Sequence, residues 1–153
     1  MRTASAPAAT DAHPATGSIV LLTRLARLIY RRSTVELVGM SLKDLAVLAY
    51  LREHDVAPQQ ALAEALCFDA NNCVLVLNEL EESNLVERRR DPTDRRRHLV
   101  EITRRGRDAL EAAEHAQESV EDEVLGALSV EERSDLQRLL GRALEGQAPD
   151  PPH

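Results

Sequence analysis

The side chains with the most pronounced chemical character lie in one stretch of the chain. Residues 86–107 hold nine Arg against four carboxylates, a local charge of +5, although the formal net charge of the 153 residues is -7. A guanidinium is a planar fork of donors that stays ionised and grips phosphate or carboxylate in pairs of hydrogen bonds. Three of these groups, Arg95, Arg96 and Arg97, directly follow Asp91-Pro92-Thr93-Asp94, a run of turn formers. On either side, Leu85–Arg90 and Arg97–Ile102 read as short strands, so the spacing predicts a two-stranded ribbon over 86–102 with Arg at its tip. Such a tip suits a narrow A·T-rich minor groove, where the negative potential is enhanced. A carboxylate at Asp94 would repel a polyanion if merely exposed, and is expected to brace a guanidinium through a charge-assisted bond. The acids are segregated: residues 111–145 hold ten carboxylates and three Arg. Screening limits each charge to about 8–10 Å, so the basic stretch acts locally whatever the net charge.

The elements that must position this ribbon lie just upstream. Helices are predicted over about Pro58–Leu66 and Ala70–Ser83, joined by Cys67-Phe68-Asp69, with Pro58 in a first turn and Asp69 as an N-cap. On a helical wheel Cys73, Val76, Leu77 and Leu80 share the apolar face of the second helix. Asn71, Val74, Leu75 and Asn78 point the other way, with Asn72 beside them. A helix pair followed at once by a basic ribbon is the order of a winged helix-turn-helix, whose second helix enters a DNA major groove about 12 Å wide. Asn71 and Asn78 could read adenine by a bidentate pair or donate to phosphate, and Val74 and Leu75 fit thymine methyls or a neighbouring protein. The helix N-terminus at Asp69-Ala70-Asn71 offers free N–H groups to a phosphate. Arg88 is a further candidate contact, although Arg88, Arg89 and Arg90 read equally well as a solvated face.

The rest of the chain reads as helices that carry this unit. Leu and Ala dominate, the aromatics are two Tyr, one Phe and no Trp, and apolar residues make up 43%. That mixture favours packed helices over a β-sandwich. The expected fold is mainly α with a small β-hairpin wing and about six helices. A helix from about Ser18 to Arg32, capped by Ser18, shows Ile19, Leu22, Leu25 and Ile29 on one stripe, and residues 33–40 could add a short turn of helix. Ser41 with Asp44 opens a helix ending near His54-Asp55, with Leu45, Leu48, Ala49 and Leu51 inward. Thr103 caps a long helix to about Leu125, whose thin seam of Ala109, Ala113, Ala116, Val120 and Val124 is expected to want a partner helix. Ser129 with Glu132 is a capping box for a last helix ending near Leu144, with Leu136, Leu139, Leu140 and Ala143 apolar. The expected organisation is a disordered arm over 1–17, an N-terminal dimerisation helix over 18–40, a DNA-binding domain over 41–106, C-terminal dimerisation helices over 107–145 and a disordered tail over 146–153.

Other chemistry is poorly supported. Cys67 and Cys73 match no zinc spacing or disulfide framework, and both read as inert thiols. The five His are scattered without an i, i+4 pair, so neither a metal site nor a cofactor is expected. No Gly-rich phosphate loop, Ser/His/Asp grouping or plausible carboxylate pair argues for an enzyme. No apolar run approaches the roughly 20 residues of a membrane span, and no secretory signal is visible, so a cytoplasmic protein with no membrane partner is expected. Tyr30, Met40 and Tyr50 could line a ligand cavity between helices, with ordinary packing as the default.

The run Asp94-Arg95-Arg96-Arg97-His98-Leu99-Val100-Glu101-Ile102-Thr103-Arg104-Arg105-Gly106 resembles the wing signature of the multiple-antibiotic-resistance regulator (MarR) family, an Asp-x-Arg tip and then Leu/Ile-Thr-x-x-Gly. Leu62-Ala63-Glu64-Ala65-Leu66, Leu77, Leu80, Glu81 and Leu85-Val86-Glu87-Arg88 resemble its helix-turn-helix, and the likeness extends over residues 18–145. The resemblance implies a homodimer joined by its terminal helices, a pseudo-palindromic double-stranded DNA site, and a small-molecule effector or oxidant that releases DNA. It implies Asp94 as the brace, Arg96 as the minor-groove residue and Arg95 as a phosphate contact. Cys67, Cys73, Val74 and Leu75 depart from the family pattern. The expected function is a dimeric, sequence-specific transcriptional regulator, a repressor, reading the major groove with helix 70–83 and the minor groove with the 86–102 wing. The alternative is a winged-helix protein–protein module without DNA binding, which exposed Val74 and Leu75 would favour.

Overall fold

Five of the seven helices start where a side chain accepts one of the first free backbone N–H groups. In the computed structural model, which describes residues 16–147, the order is α1 (Ser18–Arg32), α2 (Val35–Val38), α3 (Leu42–His54), β1 (Val56–Pro58), α4 (Gln59–Ala65), α5 (Ala70–Glu82), β2 (Val86–Arg90), β3 (His98–Ile102), α6 (Arg104–Val124) and α7 (Val130–Glu145). The Ser41/Asp44 and Ser129/Glu132 capping boxes form on both sides. Asp69 accepts from the Asn72 N–H, and Thr103 from the Gly106 N–H. Ser18 does not cap α1: it is the first helical residue, Gly17 is the N-cap, and no side chain bonds there. The described residues hold seven helices rather than six, because Val35–Val38 closes a full turn behind a Thr34 cap and ends on Gly39, whose φ of +87° suits glycine. Of the expected arms, residues 1–15 and 148–153 lie outside the described residues. Gly17 and Gly146 serve as helix caps.

The sheet has three strands, not two. β3 is central, in the order β1-β3-β2, and pairs antiparallel on both sides. The ribbon register runs from Val86 opposite Ile102 to Arg90 opposite His98. The third strand is Val56–Pro58, paired with Leu99–Glu101. Its sequence signal is weak: three residues show no alternation, and Pro58 suggests a helix start. Pro58 instead ends an edge strand, where a missing N–H is tolerated, and α4 begins one residue later.

The core lies between the sheet and the central helices. Val47, Leu48 and Leu51 of α3, Leu62 of α4, Cys73, Leu77 and Leu80 of α5, Val86, Val100 and Ile102 of the ribbon, and Leu110 and Ala113 of α6 form one buried cluster. The seam of α6 is covered within the chain, which corrects the expectation that it needs a partner. α1, α2 and α3 all pack on α6, burying Leu110, Ala113 and Val120 and half-burying Ala109, Ala116 and Val124. The uncovered apolar faces are elsewhere. Neither α1 nor α7 buries a single residue, and Ile19, Val20, Leu22, Leu28, Leu139, Leu140 and Leu144 are exposed on them.

The Thr-x-x-Gly run has a geometric cause. The Thr103 hydroxyl donates to the Asn84 carbonyl at 2.7 Å and its N–H donates to the Leu85 carbonyl at 3.1 Å, tying the start of α6 to the end of α5. A Cβ on Gly106 would sit 2.1 Å from the Leu85 carbonyl oxygen, so only glycine lets the helix pass there. Gly106→Ala should therefore cost about 2 kcal/mol or more through overpacking, read as a lower urea midpoint with an unchanged m-value.

Candidate nucleic-acid interface

The site is built from α5 and the ribbon, which share one side of the molecule. Asp69 sets the start of α5: its Oδ1 accepts from the Asn72 N–H and its Oδ2 from Asn72 Nδ2, both at 2.8 Å. The apolar face of α5 is buried as its periodicity requires, with Cys73, Val76, Leu77 and Leu80 in the core. The opposite face is open: Asn71, Asn72, Val74 and Leu75 are exposed and Asn78 is half-buried. Leu75 keeps 60% of its surface and adjoins exposed Val74. The turn before α5 holds Cys67 at a φ of +55°, a left-handed position normally given to glycine or asparagine.

Beyond Arg90 the ribbon ends in a tip held by its own carboxylates. Asp91 Oδ1 accepts from the Thr93 N–H at 2.9 Å and from the Thr93 hydroxyl at 2.7 Å. These bonds hold the Asp91 carboxyl below its usual pKa range. Arg90 Nη1 donates to the Arg95 carbonyl at 2.9 Å, and the Asp91 N–H to the Arg97 carbonyl at 2.9 Å. Asp94 does brace the tip, but not through a guanidinium. Its Oδ1 accepts the Arg96 N–H at 3.1 Å, and its carbonyl accepts the Arg97 N–H at 3.0 Å. An Asx-type turn explains why the carboxylate turns inward: a backbone N–H two residues on is closer than any side-chain head. Arg95, Arg96 and Arg97 are exposed, and among the described residues none forms an ion pair. A cleft of about 320 Å³ lies between the tip side of the ribbon, with Arg96, Arg97 and His98, and the α4–α5 pair, with Gln60, Glu64 and Val74.

Arg88 is not a free contact. Its Nη2 donates to Asn78 Oδ1 at 2.6 Å and to Glu81 Oε1 at 3.1 Å, while its Nε and its backbone N–H both donate to Glu81 Oε2, at 3.3 and 3.2 Å. The side chain retains only 19% exposure. It latches β2 to α5 instead of facing outward, because Glu81 stands one turn beyond Asn78 on the helix edge that β2 packs against. Glu81 is the residue that sequence reasoning missed. The signal was a Glu on the edge of the helix with an Arg seven positions on, across a tight turn. The Arg88 guanidinium holds the Glu81 carboxyl below the usual range, and burial pushes the Cys73 thiol up, with Arg88 opposing part of that rise.

The three candidate ligand residues differ in exposure. Tyr30 is exposed on α1, Met40 is buried in the core, and Tyr50 stacks on His54 with ring centroids 4.0 Å apart. Met40 belongs to the core cluster and Tyr50 packs against that same cluster. Among the described residues no His/Cys/Asp/Glu cluster could hold a metal, and no helix is long and apolar enough to cross a membrane.

Comparison with known proteins agrees with this geometry. The MarR family model matches residues 40–98, from just before α3 to the first residue of β3. The transcriptional regulator HosA of Escherichia coli O111:H- is 32% identical over 109 residues, covering 71% of this chain and 81% of HosA. This chain belongs to the MarR family. An HTH-type transcriptional regulator of Bacillus subtilis, YdgJ, is 34% identical over 104 residues, 68% of this chain and 63% of YdgJ, so the match spans a little under two thirds of that relative's length. A mutant E. coli MarR solved in complex with operator DNA shares the fold at a TM-score of 0.64 and 22% identity, covering 86% of this chain and 99% of that one. The MarR family consists of transcriptional regulators rather than enzymes, and its winged helix-turn-helix core is the part matched here.

Two measurements test the site chemistry. Glu81 has a folded pKa below its unfolded value of about 4.3, so its pairing stabilises the fold above that value and is lost as pH falls through the folded pKa. A double-mutant cycle of Glu81→Gln and Arg88→Met should give an equal coupling of up to about 1 kcal/mol at pH 7 and pH 5.5, discounted for partial exposure, and none once the pH lies well below the lowered folded pKa. Thiol titration of the native protein should find one fast group, exposed Cys67, and a second, Cys73, only after unfolding.

Proposed function

We propose that this MarR-family chain is a homodimeric transcriptional repressor that binds a pseudo-palindromic duplex and is released by a small-molecule effector. The observation that carries this reading is the tip of the ribbon. Three adjacent exposed guanidiniums form no ion pair among the described residues and flank a cleft shared with α5, while the tip backbone is fixed by Asp91 and Asp94. A rigid frame around free cations is what phosphate and minor-groove binding require, since little order must be imposed on contact. Arg96 enters the minor groove, and Arg95 and Arg97 reach the flanking phosphates. Asn71, Asn72, Val74, Leu75 and Asn78 meet the major groove. Val74 and Leu75 are matched to thymine methyls, which accept apolar contact where water does not compete. The operator-bound mutant MarR supports this placement by sharing the fold.

The dimer is supported by α1 and α7, whose exposed Leu, Ile and Val stripes lie at the two chain ends. In this reading residues 41–106 form the DNA-binding domain, while 18–40 and 107–145 form the dimerisation region. Paired wings would then read half-sites about one helical turn apart, and an effector would act by changing that spacing. The acidic C-terminal helices belong to the dimerisation region, so a net charge of -7 is compatible with polyanion binding.

Arg96→Ala should weaken binding to the duplex next to the gene tenfold or more and reduce the slope of log K against log salt by about 1. Unchanged affinity and slope would refute the wing assignment. Leu140→Glu combined with Ile19→Glu should shift sedimentation from dimer to monomer and lower duplex affinity with it. A dimer that persists would place the interface elsewhere.

A further inference from the structure

Resting on that DNA-binding reading, we propose that Arg88 is a positioning residue that sets base preference through Asn78, so that α5 selects guanine rather than adenine where Asn78 meets the major groove.

The chemistry follows from which atoms are already engaged. An amide side chain has an acceptor end and a donor end, and its orientation must be inferred from its partners. Arg88 is donor-only, and its Nη2 lies 2.6 Å from Asn78 Oδ1. The oxygen of Asn78 therefore faces Arg88, and its Nδ2, which is not buried, donates to no partner among the described residues and is left for a ligand. The arrangement is held from a second direction. Glu81 takes the Nε, Nη2 and backbone N–H of Arg88, so the guanidinium cannot swing away from the amide without breaking a two-point ion pair.

A free asparagine reads adenine because it can accept from N6 and donate to N7 at once. With Oδ1 drawn back to a guanidinium, that acceptor is withdrawn from the groove. What remains is a pair of donors. Guanine offers two acceptors on its major-groove edge, O6 and N7, while adenine offers N7 alone and presents N6–H₂ as a donor toward donors. The latch thus converts an adenine reader into a guanine reader with no change in the residue that touches DNA. It also explains why Asn78 is half-buried while Asn71, on the same side of α5, is exposed.

The test is a binding profile over duplexes carrying each of the four bases at every position of the footprinted site. Wild type should prefer guanine over adenine at one position in each half-site by about fivefold or more, the lower end of what one good pair gives. Asn78→Ala should level that position and leave the others as they were. Arg88→Met, with its fold checked by circular dichroism, should turn that position toward adenine, and Arg88→Lys, which can still donate to Oδ1, should keep guanine. If Arg88→Met does not fold, Asn78→Asp decides: replacing the donor by an acceptor should exchange guanine for cytosine. An Asn78→Ala profile identical to wild type would overturn the proposal. So would an Arg88→Met protein that binds all bases more weakly by one factor with the guanine preference intact, since that is a merely structural role. A wild-type protein that binds no duplex would instead refute the regulator reading on which this inference stands.

Discussion

The central position of β3 is the constraint from which the rest of the structure follows. A strand paired on both sides has no free edge and no freedom to slide, because a shift of one residue would move Val100 and Ile102 out of the core and Leu99 and Glu101 into it. Three separate parts of the chain are referenced to it. β1 brings the end of α3 and the start of α4 against one edge, β2 brings the end of α5 against the other, and Thr103 begins α6 where β3 stops. The tip between β2 and β3 is therefore held in a fixed relation to α5, although the two are joined only through a short turn at Ser83–Leu85.

The basic stretch divides its labour. Arg88 joins β2 to α5 and Arg90 holds the tip backbone, so both are structural. Arg89 lies 3.9 Å from Glu101, a loose exposed pair worth little. At the tip, Arg95, Arg96 and Arg97 are exposed and in no ion pair among the described residues, as are Arg104 and Arg105 at the start of α6. The carboxylates follow the same division: Asp91 and Asp94 turn inward to backbone N–H groups, which removes them as competitors for the neighbouring guanidiniums. A patch that looks uniformly cationic in sequence is thus a small set of free groups on a scaffold made from the others.

The helices outside this unit are arranged with opposite logic. α6 is the internal strut, packed by α1, α2 and α3 and tied by ion pairs from Arg32 to Glu123 and from Arg52 to Glu114. α7 is held to it mainly by Arg133, which donates to Asp122 at 2.7 Å and to the Leu125 carbonyl at 3.2 Å. α7 thus keeps its apolar stripe outside, on the surface that the proposed dimer would use. The unpartnered surface therefore lies on α1 and α7 and not on the Ala/Val seam.

The sequence by itself determined the local features. The caps at Ser41, Asp69, Thr103 and Ser129, the inward face of α5, the ribbon and its Arg tip were all legible, because each depends on residues within a few positions of one another. Tertiary structure decided the features that depend on distant segments meeting. β1 exists only because β3 offers an edge, and three residues ending in Pro carry no strand signal of their own. Whether the seam of α6 was covered depended on where α1, α2 and α3 came to rest. Whether Arg88 faced solvent or Glu81, and whether Asp94 turned to a guanidinium or to the backbone, was a competition among partners that composition and periodicity do not rank. Local hydrogen-bonding patterns are written in the chain, but the choice among equally suitable partners is made by the packing that brings one of them within hydrogen-bonding distance.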